Sequence, residues 1–251
     1  MKKEIPEMYL HEAHLANIVT SYCTCLGGLI PLVYCAYTRN QPRRWVWVYF
    51  CVFLTGLPTV WLHTVEGNRV ASFFDVGTNI LLAWMLIVAV SGDYMAAPAR
   101  RKLMSITLAL NVLAWCWLLY EVFAPEKKPL LTLWDSGHFY TGEVALILNA
   151  WIGAALFIIY RRRINPAARP FLYTILGIFI FGIVLATGDN NHITGYILPW
   201  HAAWHIIGAF GFITLWAFNH VRFSEGLLPV TPEEPATECV RGIPIPEESR
   251  A

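Results

Sequence analysis

Seven apolar stretches divide this chain: Leu15–Tyr37, Trp45–His63, Val70–Val90, Leu103–Phe123, Phe139–Tyr160, Phe171–Thr187 and Ile197–Phe218. Each approaches the roughly 20 residues a helix needs to cross a bilayer. In a hydrocarbon core every backbone N–H and C=O must be satisfied, and a helix does this within its own segment. Composition agrees: 57% of the residues are hydrophobic, 14% are charged and the mean hydropathy is +0.49, too little polar surface to enclose a water-soluble globule. The expected fold class is an all-α membrane protein. It is read as a seven-transmembrane helix bundle over residues 15–222, preceded by an extramembrane segment, 1–14, and followed by a cytoplasmic tail, 223–251.

Met1–His14 is charged and no small-residue cleavage site follows it, so the first span is expected to direct insertion itself. Basic residues give the orientation. Arg39, Arg43 and Arg44 lie in the first connection, Arg100, Arg101 and Lys102 in the third, and Arg161, Arg162, Arg163 and Arg169 in the fifth. The fourth connection balances Lys127 and Lys128 with Glu126 and Asp135. The positive-inside rule therefore places the odd connections in the cytoplasm, the N-terminus outside and the C-terminus inside. The net charge of +1 is distributed by topology and forms no patch for nucleic acid.

The tail from Leu227 interleaves Pro229, Pro232, Pro235, Pro244 and Pro246 with Glu and Thr and is expected to be disordered. Between the fourth and fifth spans, Ala124–His138 carries Trp134 just ahead of Tyr140 and reads as an interfacial segment. The six cysteines form no paired framework, and Cys23 and Cys25, two apart on a helix, point in different directions and read as membrane packing.

Against this apolar background the polar residues stand out, because each is costly inside a membrane. His201 and His205 open the last span four residues apart, so a helix puts both imidazoles on one face. His63 ends the second span and Asp75 begins the third. The topology brings those three helix ends to one side of the bilayer, with Thr59 one turn before His63. Three imidazoles beside a carboxylate are the ligand types of a catalytic zinc site with one open position. Glu143, inside the fifth span, reads either as an acceptor that orients a histidine or as a residue near the outer surface. Ser72 reads as a helix cap or as a spare hydroxyl. Glu66, Asn68, Asp189, Asn190, Asn191 and His192 read as solvated loop, and His138 and His220 as interfacial residues, with His220 on the far side from the site.

Taken in order, Thr59-Val60-Trp61-Leu62-His63, then Asp75, then His201-Ala202-Ala203-Trp204-His205 resemble the motifs of the CREST superfamily of seven-transmembrane hydrolases, and among its branches most the alkaline ceramidase family. The likeness covers roughly the first 220 residues. Three departures stand in it. Thr59 occupies the place of the family's Ser, the gap from His63 to Asp75 is about one residue longer and leaves Ser72 as a substitute hydroxyl, and the acidic, Trp-containing calcium-binding stretch of the eukaryotic ceramidases is not matched before the first span, so no calcium requirement is carried over.

The resemblance implies a zinc ion (Zn2+) held by His63, His201 and His205. It gives Asp75 the role of general base and later acid, and Thr59 that of hydrogen-bond donor to the developing oxyanion. The implied activity is hydrolysis of the amide bond of a ceramide-like N-acyl membrane lipid to a sphingoid base and a fatty acid. Two other readings stay open on the residues alone. One is a haem electron-transfer protein with His63 and His205 as axial ligands. The other is a lipid-sensing receptor or transporter of the same fold.

Overall fold

The computed structural model describes residues 7–65, 67–124, 130–133, 137–190 and 199–224. Seven long helices run through them: α1 (Glu7–Thr38), α2 (Arg43–Thr64), α3 (Arg69–Tyr94), α4 (Ala97–Phe123), α5 (Thr141–Tyr160), α6 (Arg169–Asn190) and α7 (Trp200–Ser224). Among the described residues six helices are long and apolar enough to cross a membrane, and α6 contributes a shorter apolar run, Pro166–Gly182. Leu113, Ile159 and Ile180 stand 66%, 65% and 60% exposed on the outer surface, where lipid covers apolar side chains at little cost. The chain is a multi-pass integral membrane protein.

Several helix ends differ from the apolar stretches, because hydropathy marks the membrane and hydrogen bonding marks the helix. The first helix starts at Glu7, two turns before the span that begins at His14, so part of the segment 1–14 is helical. The fourth starts at Ala97, with Pro98 in its first turn, where a missing N–H costs nothing, and Arg100–Lys102 are helical ahead of the apolar run. Phe139 belongs to a hairpin and not to the fifth span: β1 (Leu131–Leu133) pairs antiparallel with β2 (Gly137–Phe139), Leu131 opposite Phe139. The tail from residue 225, and Glu66, Trp134, Asn191 and His192, lie outside the described residues.

Helix α1 packs on α2 and α7, α2 on α3, α3 on α4 and α5, and α6 on α7. Small residues set the tightest of these contacts. A Cβ built on Gly28 would lie 2.8 Å from the carbonyl oxygen of Tyr49, and one on Gly56 would lie 2.6 Å from the backbone nitrogen of Cys25. Only glycine at both places lets α1 and α2 approach so closely.

The largest apolar cluster fills the end of the bundle where α2 starts and α3 and α7 finish, around Trp45, Val48, Tyr49, Ile87, Val90 and Phe218. A polar knot is buried in the same region. Asp93, 5% exposed, receives Arg44 Nε at 2.5 Å, Trp45 Nε1 at 2.9 Å and the Arg222 guanidinium at 2.6 Å. Arg222 also donates to Tyr94 Oη at 2.5 Å and to Asn219 Oδ1 at 2.7 Å, and Asn219 donates to Tyr49 Oη at 2.9 Å. The knot ties α2, α3 and α7 together. Basic residues of the odd connections gather at this end, where Arg163 donates to the carbonyl of Tyr94 at 3.2 Å.

Candidate metal centre

At the opposite end of the same three helices, local sequence sets where each polar side chain falls. The turn between α2 and α3 passes through Gly67, whose φ of +72° is a left-handed conformation that glycine adopts freely. Asn68 then caps α3, its Oδ1 accepting from the N–H groups of Val70 at 3.0 Å and Ala71 at 3.1 Å. This start places Asp75 in the second turn of α3, beside the last turns of α2 that carry Thr59 and His63. Pro199 precedes α7, so His201 lies in its first turn and His205 one turn deeper, 5% exposed.

The three histidines converge. His63, His201 and His205 each offer a ring nitrogen, and these atoms all lie within 4.8 Å of one another. His63 Nε2 and His201 Nε2 are 3.1 Å apart, and the ring centroids are separated by 4.8 to 5.2 Å. Tetrahedral zinc with bonds of about 2.0–2.1 Å puts neighbouring nitrogens about 3.3 Å apart, so this pair is close to that spacing. The donor set therefore fits one small ion of borderline softness. It fits a haem poorly, since a macrocycle between His63 and His205 would have to pass the gap that His201 fills.

The first helix adds a part that the sequence reading missed. Thr20 Oγ1 lies 3.1 Å and Ser21 Oγ 3.3 Å from His205 Nδ1. Each hydroxyl has one proton, and each donates it to its own helix: Thr20 to the carbonyl of Ala16 at 2.7 Å, Ser21 to that of Asn17 at 2.6 Å. With those bonds in place both oxygens turn lone pairs towards the imidazole, an arrangement that suits a proton on Nδ1 and a lone pair on Nε2, the tautomer a metal ligand needs. Nothing in the sequence marks these two residues, because hydroxyls that bond back to their own helix are ordinary in membrane spans.

Thr59 Oγ1 donates to Asp75 Oδ1 and lies 2.9 Å from the carbonyl oxygen of Thr55. Asp75 also lies near His201. The structure thus brings together all five residues that the sequence singles out, Thr59, His63, Asp75, His201 and His205. Asn79 donates to the carbonyl of Asp75 at 2.9 Å, which steadies the backbone there.

The remaining candidates separate by position. Glu143 accepts from the N–H of Tyr140 at 3.0 Å, the reach-back of a residue in the first turn of α5, so its place in an apolar stretch has a local cause. Ser72 lines a cavity beside the centre. His220 lies at the far end, 3.4 Å from both Tyr34 Oη and Asn40 Nδ2. Glu121, unremarked in the sequence, is buried at the end of α4 and accepts from Thr141 Oγ1 at 2.5 Å and Thr141 N at 3.3 Å.

Fold and site together define a multi-pass membrane protein with a three-histidine cluster, flanked by a carboxyl group, at one end of the bundle. Comparison with known proteins found no protein-family model and no curated protein that matches the chain.

Proposed function

We propose that this protein is a zinc-dependent intramembrane lipid hydrolase that cleaves the amide bond of ceramide-like N-acyl lipids. The observation that carries the reading is the meeting of His63, His201 and His205 beside the Thr59–Asp75 pair. Three helices and three imidazoles around one point are an expensive arrangement in a membrane unless they hold an ion.

Held by His63, His201 and His205, a zinc ion would supply Lewis acidity, which would polarise an acyl carbonyl and make water a competent nucleophile near neutral pH. The chain's own residues do the rest. Asp75 takes a proton from the attacking water as its oxygen bonds to the acyl carbon, and returns that proton to the nitrogen as the C–N bond breaks, giving a fatty acid and an amine. Thr59 holds the carboxyl of Asp75 in place. Its proton is engaged there, so it reaches a developing oxyanion only by exchanging that bond.

In this reading α6 completes seven crossings, the N-terminus lies outside, and the histidines face the non-cytoplasmic side. A membrane-impermeant thiol reagent added outside should label Arg69→Cys, and should label Arg101→Cys only after permeabilisation. The reverse pattern inverts the topology. The chemistry is tested by fatty-acid release from a panel of N-acyl and O-acyl lipids in detergent. Purified protein that holds about one zinc per chain yet cleaves none of the panel makes the receptor or transporter reading the better one.

A further inference from the structure

Among the described residues four buried side-chain atoms have no hydrogen-bond partner: Asn17 Oδ1, Gln41 Nε2, Trp216 Nε1 and Arg222 Nε. The three nitrogens belong to the end of the bundle that holds Asp93, where Gln41 accepts from Tyr49 Oη at 2.8 Å and Trp216 stacks on His220. Asn17 Oδ1 belongs to the other end, in the first turn of the span that begins at His14. A buried oxygen that meets no donor weakens the fold that keeps it.

The register of α1 against α7 shows what it stands beside. Thr20 and Ser21 meet His205, and Tyr34 meets His220, at offsets of 184 to 186 residues. Between these levels a Cβ built on Gly27 would lie 3.1 Å from the Cα of Ala209. The two helices therefore run in the same direction, and the same offset takes Asn17 to His201. Rotation agrees with level. At about 100° per residue, Asn17 lies within about 10° of the direction midway between Thr20 and Ser21, which is the direction of His205, and about 5 Å nearer the start of α1. His201 lies about 6 Å nearer the start of α7 than His205.

The chemistry of His201 calls for such an oxygen. Its Nε2 lies 3.1 Å from His63 Nε2. Two imidazole nitrogens bonded in this way share one proton, so one of the rings carries its proton on Nε2. To bind one ion, both must present lone pairs there and carry their protons on Nδ1. The change turns a donor away from the ion, and a ligating histidine is held in place when that donor meets an acceptor.

We infer that Asn17 is a positioning residue of the metal centre: when an ion is bound, its Oδ1 accepts from Nδ1–H of His201, the counterpart of Thr20 and Ser21 behind His205. The inference rests on the reading of His63, His201 and His205 as a zinc site. One face of α1 then carries the partners of both α7 histidines, about one turn apart, and the lone oxygen is satisfied in the loaded protein.

The test is the zinc affinity of the full chain purified in detergent, measured by competition with a chelator. Asn17→Leu keeps the size and removes the acceptor. It should bind zinc about tenfold more weakly, while the melting temperature of the metal-free protein holds or rises because no unpaired oxygen is buried. Asn17→Asp keeps an acceptor and should bind zinc at least as tightly as the parent. Asn17→Ala takes the place of the leucine variant if that one fails to fold. Added to Thr20→Val with Ser21→Ala, the loss from Asn17→Leu should multiply, because the two sets of acceptors serve different rings. Affinity equal to the parent's in Asn17→Leu overturns the inference, and so does an equal loss in Asn17→Asp. A loss that disappears once Thr20 and Ser21 are replaced also overturns it, by assigning Asn17 to His205. A parent that binds no zinc rejects the metal reading itself, whereas zinc in the parent with any of these three results rejects only the role of Asn17.

Discussion

Helices α2, α3 and α7 carry a polar cluster at each end, and the two clusters are built in opposite ways. At one end the carboxylate of Asp93 is closed in by Arg44, Arg222 and the indole of Trp45, and the Arg222 guanidinium stacks on Trp45, Phe218 and Phe223. Unlike charges meet each other there. At the other end three groups of the same kind, the imidazoles of His63, His201 and His205, turn ring nitrogens towards one small volume. The partners of that cluster work from behind: Thr20 and Ser21 hold the outer nitrogen of His205, and Thr59 holds Asp75. A cluster that answers its own charges ties helices together, whereas one that points like donors at a common centre is arranged for something that comes from outside.

Four variants and one rescue put this contrast at risk. The largest effect is expected from His201→Ala with His205→Ala: zinc by elemental analysis should fall from about one per chain to background while the melting temperature of the metal-free protein holds. Unchanged zinc in that variant ends the assignment of the centre. Next, Asp75→Asn should retain zinc and lose a factor of about 10²–10⁴ in turnover, since an amide keeps the shape and cannot take the proton. Turnover close to the parent's on a lipid that the parent cleaves would make Asp75 a structural residue like Asp93.

At the other end Asp93→Ala should behave in the opposite manner. Leaving the buried Arg222 without its carboxylate, beside a half-exposed Arg44, should cost about 3 kcal/mol of stability, read from unfolding in detergent. A variant as stable as the parent would show that the knot does not bind the helices. The smallest effect belongs to Thr20→Val with Ser21→Ala, which removes the two acceptors behind His205. Zinc affinity, measured by competition with a chelator, should drop about 10–100-fold. Thr20→Ser should restore most of it, because the rescuing group is the hydroxyl and not the shape. Equal affinity in all three proteins would mean that His205 keeps its tautomer without help.

The helices were legible because length and hydropathy report directly on the membrane, and the histidines because polar residues inside apolar stretches are few. The limits lay where cost alone was the signal. Asp75 lies inside the apolar stretch Val70–Val90 and stands out for its cost, whereas Asp93 lies just past its end and does not; in the fold Asp93 is answered by Arg44 and Arg222 from other helices and Asp75 is paired with a threonine. Glu143 looked anomalous until the start of α5 at Thr141 made it a first-turn residue. Phe139 looked like membrane and is strand, because three residues of hairpin carry too little pattern to be distinguished from the edge of a span.

By itself, then, the sequence determined that the chain is a bundle of apolar helices, which helix ends share a side, and that His63, Asp75, His201 and His205 lie at one level. Those follow from one-dimensional quantities, the run length of apolar residues and the helical repeat. Tertiary structure alone decided that Thr20 and Ser21 of α1 stand behind His205, that Thr59 bonds Asp75, and that Ser72 lines a cavity beside the centre. Each of these depends on contacts between helices far apart in the chain, where the rotation of one helix against another sets the partner and no local pattern records it.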